Sequence, residues 1–135
     1  MQLVAASKMR RAQEADKASA PYTQAASELL TYLASQGVTD DHPLFQAREV
    51  KTRLLIVIAG DKGLVGAYNS NVLKGYITEL SADDKAGISN QTIVIGRKTA
   101  QFASRLKRTS VVGAYENIPD QPAGSELRSI LDTAR

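Results

Sequence analysis

Nine apolar positions near the start of the chain constrain its fold more than any other feature. Ala5, Met9, Ala12, Ala15, Ala18, Tyr22, Ala25, Leu29 and Leu33 are separated by eight steps over 28 residues, a mean of 3.5, which is the repeat of a coiled-coil seam. Residues 1–35 therefore read as one helix, roughly 52 Å long at the standard rise, several times the length of an average globular helix. Pro21 is the one breaker in this stretch. It lacks an N–H and crowds the carbonyl of Lys17, so a bent but continuous rod is expected, with two helices meeting near Ala20 as the alternative. Ahead of Pro21 the seam is nearly all Ala. Small seam residues allow close approach of a partner helix, but at about 25 cal/mol per Å² they bury too little area to stabilise the rod alone. No helical pattern of comparable length occurs elsewhere in the 135 residues, so the rod needs a partner from outside and the chain reads as a piece of something larger.

After the helical segment (residues 1–36) comes a linker (37–50) containing Asp40-Asp41-His42-Pro43. An α/β domain then occupies residues 51–135. Lys51 to Ala59 ends in a continuous apolar run, expected to be a strand buried on both faces. A loop with Gly60, Gly63 and Gly66 follows. A helix over about Asn69 to Leu80 is predicted from Val72, Leu73, Tyr76, Ile77 and Leu80 at 3–4 spacing. Ser81 to Asn90 reads as a polar turn, Gln91 to Ile95 as a strand, Lys98 to Leu106 as a helix and Ser110 to Ala114 as a third strand. Asn117 to Gly124 is a loop with two prolines. Ser125 to Arg135 begins another helix, with Ser125 as its expected N-cap. The order is long helix, then β-α-β-α-β-α, which implies a parallel sheet with right-handed crossovers, in a domain that stops within or just after a helix.

Composition narrows the chemistry. With no Cys there is no disulfide framework, Cys-ligated zinc, iron–sulfur cluster or cysteine nucleophile, and the single His, His42, excludes a site needing two imidazoles. The longest apolar run, Leu54 to Ala59, is strand-sized and far short of the roughly 20 residues that cross a bilayer. Lys8, Arg10 and Arg11 follow the first apolar residues rather than precede them, unlike a signal peptide. The net charge of +3 is too modest for a dedicated nucleic-acid binder. Aromatics are 5% with no Trp, so the core must be small and aliphatic.

Few motifs survive inspection. The Gly60–Gly66 loop lies between a strand and a helix, where nucleotide folds keep phosphate loops. Its glycines are three apart each time, which fits neither the dinucleotide fingerprint nor the Gly-Lys-Ser/Thr phosphate loop. A tight turn is the better reading, with Asp61 and Lys62 a solvated pair at its tip; a small nucleotide-binding α/β domain using Gly60–Gly66 is the alternative. His42 reads as a surface residue and Asp83-Asp84 as a turn, so no metal or other cofactor is expected. Arg97, Lys98, Arg105, Lys107 and Arg108 carry five positive charges with no acid between them, a solvated face or else a patch for an acidic partner, an anionic lipid surface or nucleic acid. With Phe102 alone among them, base stacking is not expected.

Two stretches resemble one family. Met1 to Gln13, MQLVAASKMRRAQ, is similar to the N-terminal helix motif of the F-type ATP synthase gamma subunits. Ile58 to Val72, IAGDKGLVGAYNSNV, is similar to that family's loop signature. Asp61, Gly63, Leu64, Gly66 and Asn69 keep the pattern, while Gly60, Lys62, Val65, Ala67 and Tyr68 stand where the family usually has Ser, Arg, Cys, Gly and Leu. The resemblance runs along the whole chain and implies about half of such a subunit. It implies an α/β fold: a long coiled-coil-type helix, half of an antiparallel shaft whose other half is the subunit's own C-terminal helix, followed by a Rossmann-like domain with a mainly parallel sheet. It implies a non-catalytic rotor without cofactors, coupling rotation of the membrane c-ring to ATP synthesis or hydrolysis in the alpha–beta hexamer. The implied partners are the alpha and beta subunits, the epsilon subunit and the c-ring, with no nucleic acid. The implied location is peripheral, on the cytoplasmic face of the bacterial inner membrane, or the stromal side of the thylakoid or matrix side of the mitochondrial membrane. Met1, Lys8, Arg10 and Arg11 would approach the beta subunits, with the three cations facing acidic loops. An isolated fragment is expected to self-associate through residues 1–35.

Overall fold

The computed structural model describes residues 2–63, 65–107, 109–119 and 122–135, and of Gln2 the backbone alone. It consists of two compact units, Met1–Glu49 and Val50–Arg135.

The first unit is dominated by α1, Gln2–Ser35, a single helix that runs through Pro21 without interruption. Local alcohol-to-carbonyl bonds flank the proline: Ser19 Oγ donates to Asp16 O and Thr23 Oγ1 to Ser19 O. The helix stops where Gly37 takes a left-handed conformation (φ 69°) and donates to Ala34 O, a conformation glycine adopts without the Cβ penalty. The following turns are held locally. The amides of His42 and Phe45 donate to Thr39 O and His42 O, and Leu44 N–H donates to His42 Nδ1. Arg48 closes the segment onto Pro43 O. His42 is thus a turn residue with one ring nitrogen engaged, and its ring meets Phe45 edge-on at 5.9 Å.

The second unit contains β1 (Thr52–Ile58), α2 (Tyr68–Ala86), β2 (Ser89–Ile95), α3 (Arg97–Ala103), β3 (Ser110–Tyr115) and α4 (Gly124–Ala134). The three strands form one parallel sheet in the order β1-β2-β3, with an irregularity at Thr92/Ile93 against β3. Helices α2 and α3 cover one face, where Val57, Tyr76 and Leu80 pack with Leu55, Val72, Phe102 and Leu106. The Tyr76 hydroxyl meets Thr92 Oγ1 at 2.9 Å, and Thr92 meets Thr109 at 2.8 Å, so these three hydroxyls are paired. Helix α4 lies on the other face: the Tyr115 hydroxyl is 2.9 Å from Ser129 O and 2.7 Å from Thr133 Oγ1. Gly113 leaves room there, since a Cβ on it would sit 3.1 Å from the Thr133 methyl.

Several boundaries depart from expectation. Helix α2 continues through residues 81–86 rather than ending at Leu80. Its last turns are fixed because Asp83 is buried and paired with Arg53 at 2.5 Å, and because Gly87 supplies a left-handed cap (φ 70°). Helix α4 begins one residue early, and Ser125 is not its cap. Instead the Glu126 carboxylate reaches back to accept the Ala123 N–H, the acidic half of a capping box. Strand β1 is not buried on both faces. Val57 is 7% exposed but its neighbours Ile56 and Ile58 are 47% and 57% exposed, because β1 is an edge strand and α4 packs against β3 at the opposite edge.

Candidate functional site

The rod is a surface without a core of its own. Along α1 every expected seam residue is exposed except Leu33, which is partly buried, and Tyr22 is 80% exposed. These expected seam positions are therefore open to solvent along nearly the whole helix. Lys8, Arg10 and Arg11 are exposed on the same helix. Arg10 Nε is held 2.8 Å from Glu14 Oε1 by an i,i+4 ion pair, a contact worth a few tenths of a kcal/mol at the surface. Met1 lies outside the described residues.

The glycine loop is a stitched turn in the second unit. Gly66 adopts φ 57°, which only the absence of a Cβ makes easy. Asn69, in the first turn of α2, folds back so that its Oδ1 accepts the Gly60 N–H at 3.0 Å and its Nδ2 donates to Lys62 O at 3.4 Å. Asp61 is not a solvated partner of Lys62. Its Oδ1 accepts the backbone N–H of Arg97 at 2.8 Å, joining the loop to the first residue of α3. Gly63 has open space around it, and Leu64 lies outside the described residues. Of the five residues shared with the family's pattern, Asn69 bonds across the turn to Gly60 and Lys62, Asp61 bonds to α3, and Gly66 supplies the left-handed bend.

A backbone crossing closes the base of this loop. Ala59 N–H donates to Ile95 O and Gly96 N–H to Tyr115 O. Gly96 has φ 102°, and a Cβ there would lie 2.0 Å from Ala59 O, so no side chain fits.

The basic stretch does not form one patch. Arg97 is occupied, its guanidinium 2.8 Å from Asn117 Oδ1 and 3.9 Å from Glu116. Lys98 and Arg105 line a cleft with Gly63, Gly66 and Phe102 beside the glycine loop. Lys107 lines a different recess with Asn90, Thr109 and Ser110, at the N-terminal ends of β2 and β3. Arg108 lies outside the described residues. The periodicity of the sequence did not single out the groove continuing from the cleft along α2, walled by Leu73, Ile77 and Phe102. The available signal was Leu73 and Ile77, an i,i+4 pair one residue round the helix from the core positions Val72 and Tyr76.

Comparison with known proteins places these features in a family. A family model described as ATP synthase matches residues 1–134. The ATP synthase gamma chain of Staphylococcus epidermidis is 31% identical over 134 residues, covering 99% of this chain and 46% of that relative. That of Cupriavidus pinatubonensis is 40% identical over 122 residues, 90% of this chain and 42% of the relative. That of Opitutus terrae is 37% identical over 132 residues, 98% and 42% respectively. The chain thus spans less than half the length of the curated relatives it matches.

Proposed function

From the premise that this chain belongs to the ATP synthase gamma-chain family, we propose that it forms part of the central rotor of a proton-translocating F-type ATP synthase. In this reading α1 is one strand of the shaft, paired antiparallel with a C-terminal helix of the same subunit. The second unit is part of a doubly wound, Rossmann-like foot meeting the epsilon subunit and the c-ring. Rotation of the c-ring is transmitted through the shaft to the alpha–beta hexamer. The phosphoryl chemistry belongs to the beta subunits, and this chain contributes geometry and torque.

The observation that carries the reading is the open seam of a 34-residue helix. A shaft must be long and stiff, and it must not adhere strongly to one position of its sleeve. Alanine and charged side chains meet both needs, because they bury little apolar area on any one contact. Lys8, Arg10 and Arg11 face acidic loops of the beta subunits, and Met1 lies with them at that contact. The location is peripheral to the membrane; among the described residues no helix is long and apolar enough to cross it. At the glycine loop, Asp61 and Asn69 bond to their own backbone, which favours a structural turn over a nucleotide site.

The test is purification of the full-length gene product from its source under native conditions, with subunit counting and an ATPase assay. One copy with three alpha and three beta subunits in an ATP-hydrolysing particle is the expected result. Recovery as a free protein would overturn the reading. In the same particle, replacing Lys8, Arg10 and Arg11 together by Gln is expected to lower ATP-driven proton pumping several-fold relative to hydrolysis; unchanged assembly and coupling would remove these three from the contact.

A further inference from the structure

Helix α2 carries two apolar stripes. Val72, Tyr76 and Leu80 belong to the core. Leu73 and Ile77 lie one position round the helix and face outward into a groove of about 610 Å³, whose other wall is Phe102 from α3. The α2 positions lining it, 70, 73, 74, 77 and 78, recur at helical spacing. This groove shares Ser70, Leu73 and Phe102 with the cleft beside the glycine loop, so the two are continuous.

The charge of the groove has one sign. Among the described residues lining it and the adjoining cleft, Lys74, Lys98 and Arg105 are the charged ones, and no acid is among them. The acids of α2 that pair with Arg53, Glu79 and Asp83, line neither recess. The cation of α3 that has a nearby acid, Arg97, lines neither recess. An apolar floor with a cationic rim is therefore left without a counterpart among the described residues.

We propose that this groove seats an amphipathic helix of a partner protein, with aliphatic side chains on its inner face and Glu or Asp along its flanks. Residues 70 to 78 extend roughly 12 Å along α2, enough for two turns of a docked helix with anchors at i, i+3 or i+4, and i+7. Leu73, Ile77 and Phe102 receive the anchors. Lys74, Lys98 and Arg105 meet the flanking carboxylates, fixing orientation and favouring encounter with an acidic partner. The surface stands independently of the rotor reading.

The test uses the whole 135-residue chain and two fluorescein-labelled 16-residue peptides. Both carry Leu at the same helical positions; one has Glu at the remaining positions and the other Lys. In anisotropy titrations at low salt the acidic peptide is expected to bind at least tenfold more tightly than the basic one. Its affinity should fall several-fold at 0.5 M salt. The double variant Lys98→Glu, Arg105→Glu and the single variant Ile77→Gln should each weaken it about tenfold. Both act on exposed or half-exposed side chains, and an unchanged circular dichroism spectrum verifies their folding. Leu29→Gln with Leu33→Gln on α1 should leave binding intact. Equal affinity for the two peptides, no binding, or loss that follows the α1 variant instead of the groove variants would overturn the proposal.

Discussion

At the residue scale, the Gly60–Gly66 loop joins backbone segments, and its side chains can be ranked by what they hold. Asp61 supplies an acceptor to the first amide of α3, one of the donors that a helix cannot satisfy internally. Asp61→Ala removes that acceptor and should cost about 1 kcal/mol. For a unit of this size that lowers the thermal midpoint by about 4–8 °C; a calorimetric scan showing no shift would mean that water replaces the carboxylate without loss. Gly96 is under a harder constraint. With φ 102° and Ala59 O at 2.0 Å from any added Cβ, Gly96→Ala must move β1 or break the bond from Gly96 N–H to Tyr115 O. The expected cost is about 3 kcal/mol or more, read as loss of the cooperative transition of the second unit. A native-like midpoint would show that the loop relaxes around the methyl group. Glycine spacing marked this stretch as a turn from the sequence, but the sequence could not show which glycine was indispensable. Gly96 lies outside the motif, and its constraint comes from Ala59, just past the end of β1 and 37 residues away in the chain.

At the scale of the elements, what could be read in advance was what depends on local pattern. The 3.5-residue repeat gave α1 at nearly its observed length, and alternating strands and helices gave the parallel sheet. What could not be read depends on tertiary contacts. Residues 81–86 look like a turn because Ser81, Asp83 and Asp84 are poor helix formers, yet Asp83 is held in place by Arg53 on β1. The stop signal was present, however, in Lys85 followed two residues later by Gly87. The run Leu54 to Ala59 promised burial on both faces, but an apolar run does not say where in the sheet its strand will lie. The basic stretch 97–108 divides because α3 ends at Ala103, which sends Arg105 and Lys107 to different recesses. Pro21 is the remaining element-scale question. Inside α1 it removes one ladder bond and opposes the Lys17 carbonyl, which costs about 3 kcal/mol relative to Ala in an exposed helix. Pro21→Ala should therefore deepen the 222 nm dichroism of the whole chain and raise the temperature at which that signal fades. An unchanged spectrum would mean that the helix on the N-terminal side of Pro21 is already complete.

For the whole molecule, two apolar surfaces compete to determine how the isolated chain behaves in solution. One is the outer face of β1, with Ile56 and Ile58 half exposed beside an unpaired strand edge, a known route to association. The other is the seam of α1, where Met9, Tyr22 and Leu29 are 63%, 80% and 58% exposed. The seam is expected to be the stronger driver of self-association. It offers contacts repeated over 28 residues in a register that a second copy can match, whereas the sheet face offers two side chains on a seven-residue strand. The Ala-rich first half of the seam contributes close approach but little area, so the affinity must come from Tyr22, Leu29 and Leu33. Each such side chain is worth about 1.5–3 kcal/mol when fully buried, so Tyr22→Glu with Leu29→Glu should weaken the dimer at least tenfold. Ile58→Thr should leave it unchanged. Sedimentation equilibrium across a concentration series separates the two surfaces. A chain that stays monomeric at high concentration would show that the seam is too poor in area to pair with itself and requires a partner helix of larger residues. A dimer abolished by Ile58→Thr would move the contact to the sheet edge.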